Sequence, residues 1–315
     1  MNKGGSLTTS SLPVIRLRLA QLTSHLVVAL IALVVIGGST RVMEAGLACP
    51  DWPLCYGSLF PGRQMNLQVF LEWFHRLDAF LVGVAVLAQF WVSLRWRKVL
   101  PTWLPFISGL LVLMVGIQGG LGALTVLQLL PSGVVSAHLV LALTLVAMVS
   151  GITQRLFSRS NSNSPFWWRL MGVISLFAVI IQSLLGGQMA TAWAAQRCRN
   201  FGQACELIDF HRFSAVLTSA TILSFVLVAF IAGGWPRSQW RFLLSVVGLL
   251  IIQITLGVLT LRFGSFYPTI TISHQLVAAL LVAFLAALVC RRPDIPTKEI
   301  SFISEISSPL EHCHG

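Results

Sequence analysis

Four histidines can do chemistry together. His75 and His138 lie 63 residues apart, and His211 and His274 repeat that spacing. Each stands near the start of a long apolar run. His75 sits in Leu71-Glu72-Trp73-Phe74-His75-Arg76, and His211 sits in Phe210-His211-Arg212. A neutral imidazole offers a nitrogen lone pair to a metal. Two imidazoles at one level of a helix bundle can grip the iron of a flat macrocycle from both faces. A single histidine near a membrane interface is ordinary, but four in register with a duplicated unit point to two haem sites of two ligands each. Arg76 and Arg212 directly follow a histidine and could pair with haem propionates.

The two copies differ where a reaction would show. Glu72 stands three residues before His75, and its match before His211 is Ile208. Asp78, three residues after His75, is matched by Ser214. Positions i and i+3 share a helix face, so Glu72 leans over the cofactor face of His75. A bland reading pairs Glu72 with Arg76 at i+4, worth a few tenths of a kcal/mol, roughly. A carboxylate at the mouth of a membrane helix is a functional hypothesis by default. The first unit therefore reads as the reaction site, and the second as the holder of a resident haem that passes electrons.

These residues need helices to place them. The chain has 315 residues, 56% hydrophobic and only 10% charged, against about 25% charged in an ordinary soluble domain. No charged residue occurs from Val99 to Gln154. This composition predicts an all-α polytopic membrane protein. The net charge of +11 is spread between apolar runs, as topology demands, so no nucleic-acid partner is expected. Runs of about 20 residues, enough to cross a bilayer, predict helices near 21–39, 68–94, 103–125, 134–155, 167–188, 207–232, 240–261 and 269–290.

Gln118 to Thr125 aligns with Gln253 to Thr260, and Gly37-Gly38 aligns with Gly186-Gly187. The eight helices thus form two tandem pseudo-symmetric four-helix bundles in one orientation, a parallel repeat. The divisions are an N-tail (1–20), a first unit (21–157), a polar linker (158–166), a second unit (167–290) and a C-tail (291–315). Fourteen of the 21 Lys and Arg fall in the tails and the connections on their side, which makes both termini cytoplasmic. His312 and His314 flank Cys313 and read as part of a tail. His25 reads as an interfacial side chain.

Glycine pairs let a ring or a backbone approach closely, although most such pairs only pack helices. Cys49 with Cys55, and Cys198 with Cys205, lie in outward loops, where an oxidising environment favours disulfides. Cys198 with Cys205 reads as a staple. Cys49 with Cys55 reads as either a staple or a redox pair. Cys290 and Cys313 are expected as free thiols.

The Glu-x-x-His-Arg motif (Glu72, His75, Arg76), the cysteine-bearing first outer loop and the doubled four-helix plan with four histidines resemble the haem A synthase family over about residues 20–290. The resemblance implies oxidation of the C8 methyl of haem o to a formyl group, by two hydroxylations and loss of water, to make haem a for cytochrome oxidase. It implies that His75 and His138 bind the substrate haem o, that His211 and His274 bind haem b, and that Glu72 is the catalytic carboxylate. It maps the family's cysteine pairs onto Cys49–Cys55 and Cys198–Cys205. The resemblance implies a haem o synthase as partner; the apolar runs imply the lipid bilayer of a plasma or thylakoid membrane, and the electron donor and any oligomer stay open.

An iron with two axial histidines has no open position for oxygen. Two routes stay open. One of His75 and His138 gives up its place, or both stay and Glu72 steadies a developing cation while water brings the oxygen. The alternative in another class is a dihaem b-type membrane protein carrying electrons from quinol to an outer acceptor. It explains four histidines but not the single Glu72. A transporter would put charge at the midplane, whereas the charges here cluster at outer helix mouths. A haem exporter would not need a second resident haem.

Overall fold

A computed structural model describes residues 13–158, 162–191, 194–203, 205–264 and 266–293. The C-tail cysteine and histidines, the first twelve residues and the centre of the linker lie outside them. The helices are α1 (Val14–Val42), α2 (Leu67–Arg95), α3 (Leu104–Leu127), α4 (Ser132–Phe157), α5 (Phe166–Thr191), α6 (Ala194–Phe201), α7 (Cys205–Ala232), α8 (Gly234–Ser238), α9 (Trp240–Phe263) and α10 (Pro268–Cys290). All but α6 and α8 are long and apolar enough to cross a membrane, which makes eight spans among the described residues. The chain is an integral membrane protein.

Local chemistry sets the ends. Asn66 caps α2, its side chain accepting from the Val69 N–H at 2.9 Å. Proline in the first turn starts α3 and α10, where its missing N–H costs nothing. Inside the spans, Ser39, Thr144, Thr153 and Ser183 donate to the carbonyl four residues back, which satisfies these four hydroxyls within their own helices.

Helix α1 starts at Val14, inside the stretch expected as a tail. The reason is Arg16. Its guanidinium donates to the carbonyls of Leu156, Arg155 and Ser158 at 3.0, 3.1 and 2.6 Å. These are last-turn carbonyls of α4 that lack an intrahelical partner. The expected second outer loop is largely helix α6, a second difference.

Two rings of packed helices result. In one, α1, α2, α3 and α4 each touch the next and α4 closes on α1; in the other, α5, α7, α9 and α10 do the same. The rings meet through α4, α10, α1 and α5. Helices α4 and α10 are the most buried spans and form the centre. Across that seam the Ser150 hydroxyl donates to the Ala283 carbonyl at 2.7 Å, and Gln275 Nε2 to the Val34 carbonyl at 3.2 Å. Trp168 at the start of α5 donates to the Leu288 carbonyl at 2.8 Å and packs against Phe225 and Trp235. The start of α1 and the ends of α4 and α10 therefore share one side of the molecule. The cysteine loops and the four histidines occupy the other.

Candidate haem-binding sites

Each histidine lies against a glycine of the preceding spanning helix. A Cβ at Gly37 on α1 would stand 2.9 Å from His75 Cε1, and one at Gly122 on α3 would stand 3.4 Å from His138 Cε1. The second unit repeats this, with Gly186 on α5 at 3.1 Å from His211 Cε1 and Gly257 on α9 at 3.1 Å from His274 Cε1. A side chain at Gly37, Gly186 or Gly257 would push on a ring, and one at Gly122 would touch it. The first glycine of each expected pair thus seats an imidazole, and in the glycine-rich run of α3 only Gly122 does so. Gly119 and Gly120 face open space.

The histidines of each unit stand on opposite helices of its ring, His75 and His138 on α2 and α4, His211 and His274 on α7 and α10. All four are half-buried. The Nδ1 atoms of His75, His138 and His274 are buried and have no hydrogen-bond partner. A neutral imidazole with a free ring nitrogen, with a second one across the same ring of helices, suits the iron of a bound porphyrin. The residues present fit haem. Among the described residues, no group of three or more His, Cys, Asp or Glu is placed to hold a bare metal ion.

Glu72 is buried, with 6% of its surface exposed. Its Oε1 takes both Arg76 Nε and Nη2 at 3.1 Å. The expected i+4 pair is therefore real, but Arg76 does more than close it. Arg76 Nη1 donates to the carbonyls of Asp51 and Leu54 at 2.6 and 2.5 Å, and Nη2 donates to that of Cys49 at 3.2 Å. Arg76 thus clamps the first outer loop onto α2. Arg212 differs. It is 67% exposed and lies 3.5 Å from Asp209, itself exposed, so its guanidinium remains accessible.

The clamped loop is built around its cysteines. Cys49 and Cys55 form a disulfide, as do Cys198 and Cys205. Asp51 closes the first loop by accepting from the Tyr56 and Gly57 N–H groups at 2.6 and 2.7 Å. Trp73 Nε1 donates to the Leu59 carbonyl at 2.7 Å, and its ring meets Phe60 edge-on. Glu72, Trp73 and Arg76 on one turn of α2 thus hold both halves of the loop above His75.

Sequence reasoning missed three glutamines. Gln118, Gln182 and Gln253 reach the histidine on the facing helix. The signal was available, since Gln118 and Gln253 open the aligned segments. It was not read because an amide in a membrane helix usually only packs. His25 is exposed and bonds the Gln21 carbonyl on its own helix, away from both sites. Cys290 is a free cysteine.

The family model COX15-CtaA, described as cytochrome oxidase assembly protein, matches residues 20–286. The chain belongs to this family. The curated relatives are haem A synthases. That of Shewanella oneidensis is 29% identical over 314 residues, covering 81% of this chain and 91% of that protein. That of Bradyrhizobium diazoefficiens is 32% identical over 198 residues, covering 52% and 55%. That of Bacillus licheniformis is 25% identical over 281 residues, covering 82% and 89%. The family is thus the haem A synthase family, and its member here works in haem A biosynthesis on a haem substrate. Among the described residues, Glu72 is the one buried glutamate, and it lies on the same helix as His75.

Proposed function

We propose that this chain oxidises the C8 methyl of haem o to a formyl group, giving haem a for cytochrome oxidase. The observation that carries the proposal is the asymmetry around two like histidine pairs. Both pairs are seated on glycines, but only the first has a buried carboxylate beside it, Glu72, held by Arg76. The first pair, His75 and His138, binds and orients the substrate haem o. The second pair, His211 and His274, holds haem b, which supplies one-electron redox capacity beside the reaction site. An electron-carrying dihaem protein needs no such difference between its two sites.

Glu72 is the catalytic group. Its carboxylate stands one helical turn from His75 on α2, where it would steady positive charge that develops as electrons leave the methyl carbon and accept the proton released with them. Arg76 fixes that carboxylate and is itself fixed by three loop carbonyls, so the group needs little rearrangement during reaction. The loop closed by Cys49–Cys55 covers the mouth of the site and limits water. Arg212 is free to meet a propionate of haem b. The cysteine loops face outward and both termini are cytoplasmic, in a plasma or thylakoid membrane. A haem o synthase delivers the substrate, and a separate electron donor serves the reaction.

The test is to purify the protein from cells supplied with haem o and identify the extracted porphyrins by chromatography and mass. Haem b together with haem o, a hydroxylated intermediate or haem a is expected. Glu72→Gln should keep the haems and stop short of the aldehyde. Haem b alone, two per chain and indifferent to haem o, would overturn the proposal.

A further inference from the structure

Three glutamines share one placement. Gln118 precedes Gly122 by four residues, Gln182 precedes Gly186 and Gln253 precedes Gly257 by the same step. Each lies on the same helix face as its glycine, one turn away. Each carboxamide reaches the histidine seated on that glycine. Gln118 Nε2 donates to the His138 carbonyl at 3.1 Å. Gln182 Nε2 donates to the His211 carbonyl at 2.8 Å and lies 3.1 and 3.3 Å from its Nδ1 and Nε2. Gln253 Nε2 lies 3.3 Å from His274 Nε2.

The fourth place in this pattern, four residues before Gly37, is Leu33. Leucine has no N–H to offer, and this one packs into the apolar core. A second substitution accompanies it. The Ser214 hydroxyl donates to Gln182 Oε1 at 2.6 Å and so holds the brace of His211 in place. The matching residue in the first unit is Asp78. The pair Gln182–Ser214 is therefore replaced, as a pair, by Leu33–Asp78. His75 is seated on its glycine, but among the described residues no carboxamide reaches it, and its Nδ1 has no hydrogen-bond partner.

We infer that His75 is the axial ligand that gives up its place during turnover, and that Gln118, Gln182 and Gln253 are positioning residues that keep the other three histidines in theirs. The inference rests on the reading of the four histidines as haem ligands. It selects between the two routes open to a site with two axial histidines. The face vacated is the α2 face, which also carries Glu72, so the opened position and the catalytic carboxylate lie together. Losing one such hydrogen bond changes an equilibrium several-fold, enough to make one of four otherwise similar ligands the labile one.

Carbon monoxide tests this, because it binds a reduced haem with two histidines only after one histidine leaves. The probe is carbon monoxide added to the dithionite-reduced full-length protein carrying haem o and haem b, with uptake followed by absorbance. The wild type should bind it at the haem o and leave the haem b untouched. Leu33→Gln with Asp78→Ser, which transplants the second unit's brace, should slow that uptake several-fold at unchanged haem content. Gln182→Leu should make the haem b reactive as well. Unchanged uptake in the transplant, at full haem content, overturns the inference. So does a haem b that stays inert in Gln182→Leu, and this variant serves if the transplant does not fold. A His75→Ala protein that retains all its haem o, six-coordinate and low-spin, would overturn the ligand reading itself and the inference with it.

Discussion

Arg76 illustrates how much one side chain can organise. Its planar fork binds Glu72 on one side and the carbonyls of Cys49, Asp51 and Leu54 on the other. Lysine keeps the charge but not the fork. Arg76→Lys should therefore loosen the loop and speed reduction of Cys49–Cys55 by a water-soluble phosphine several-fold, read by thiol labelling. Asp51 adds a pH dependence to the same loop. Its carboxyl is held below the ordinary 3.8, chiefly by the Gly57 N–H, against the opposing effect of burial, with the Tyr56 and Asp51 N–H groups and the Arg76 charge adding to it. A depressed folded value stabilises the loop fully above that ordinary value. The contribution is lost as pH falls below 3.8 and through the folded value. Phosphine reduction of Cys49–Cys55 should accelerate on acidification below this point, and Asp51→Asn should flatten that acid limb.

At the scale of the helix, the histidines depend on what the neighbouring helix lacks. Gly186 has His211 Cε1 at 3.1 Å from where a Cβ would stand. Gly186→Val should displace the ring and remove about one haem per chain, measured as the pyridine haemochrome, while leaving the first site filled. Helix α1 depends on a distant partner in another way. Arg16→Ala leaves the last carbonyls of α4 without their donors, at a cost of about 1–3 kcal/mol. A lower unfolding temperature in detergent should report it. The early start of α1 was hidden in the sequence because Arg16 and Arg18 mark a tail when no partner is in view.

Across the whole molecule, each glycine pair serves both units. Gly37 seats His75 of its own unit, while a Cβ on Gly38 would fall on the carboxamide of Gln275, beside His274 of the other unit. Gly187 repeats this, with Leu139, beside His138, at 2.8 Å from its Cβ position. One helix therefore touches a residue of one site and the neighbour of a residue in the other. Gly38→Val would drive Gln275 from its bond to the Val34 carbonyl. Overpacking of this kind costs about 1–3 kcal/mol. The expected outcome is a lower melting temperature together with slower electron exchange between the two haems, seen by stopped-flow absorbance. Unchanged exchange in a destabilised protein would show that the seam is structural only.

The sequence by itself determined the eight apolar spans, the duplication, the four histidines and the lone glutamate. Hydrophobic length and a repeated spacing are one-dimensional properties, and they survive without knowledge of contacts. The cysteine pairs were legible for the same reason, being close in the chain and alike in both copies. The closing of each set of four helices into a ring, the seating of each imidazole on a glycine, the clamp made by Arg76 and the glutamine braces were decided only by tertiary structure. Each depends on which face of one helix meets which face of another. His75 and Gly37 are 38 residues apart in the chain, and Gln275 and Val34 are 241 apart. No local pattern announces such a meeting, because it is set by the packing of whole helices.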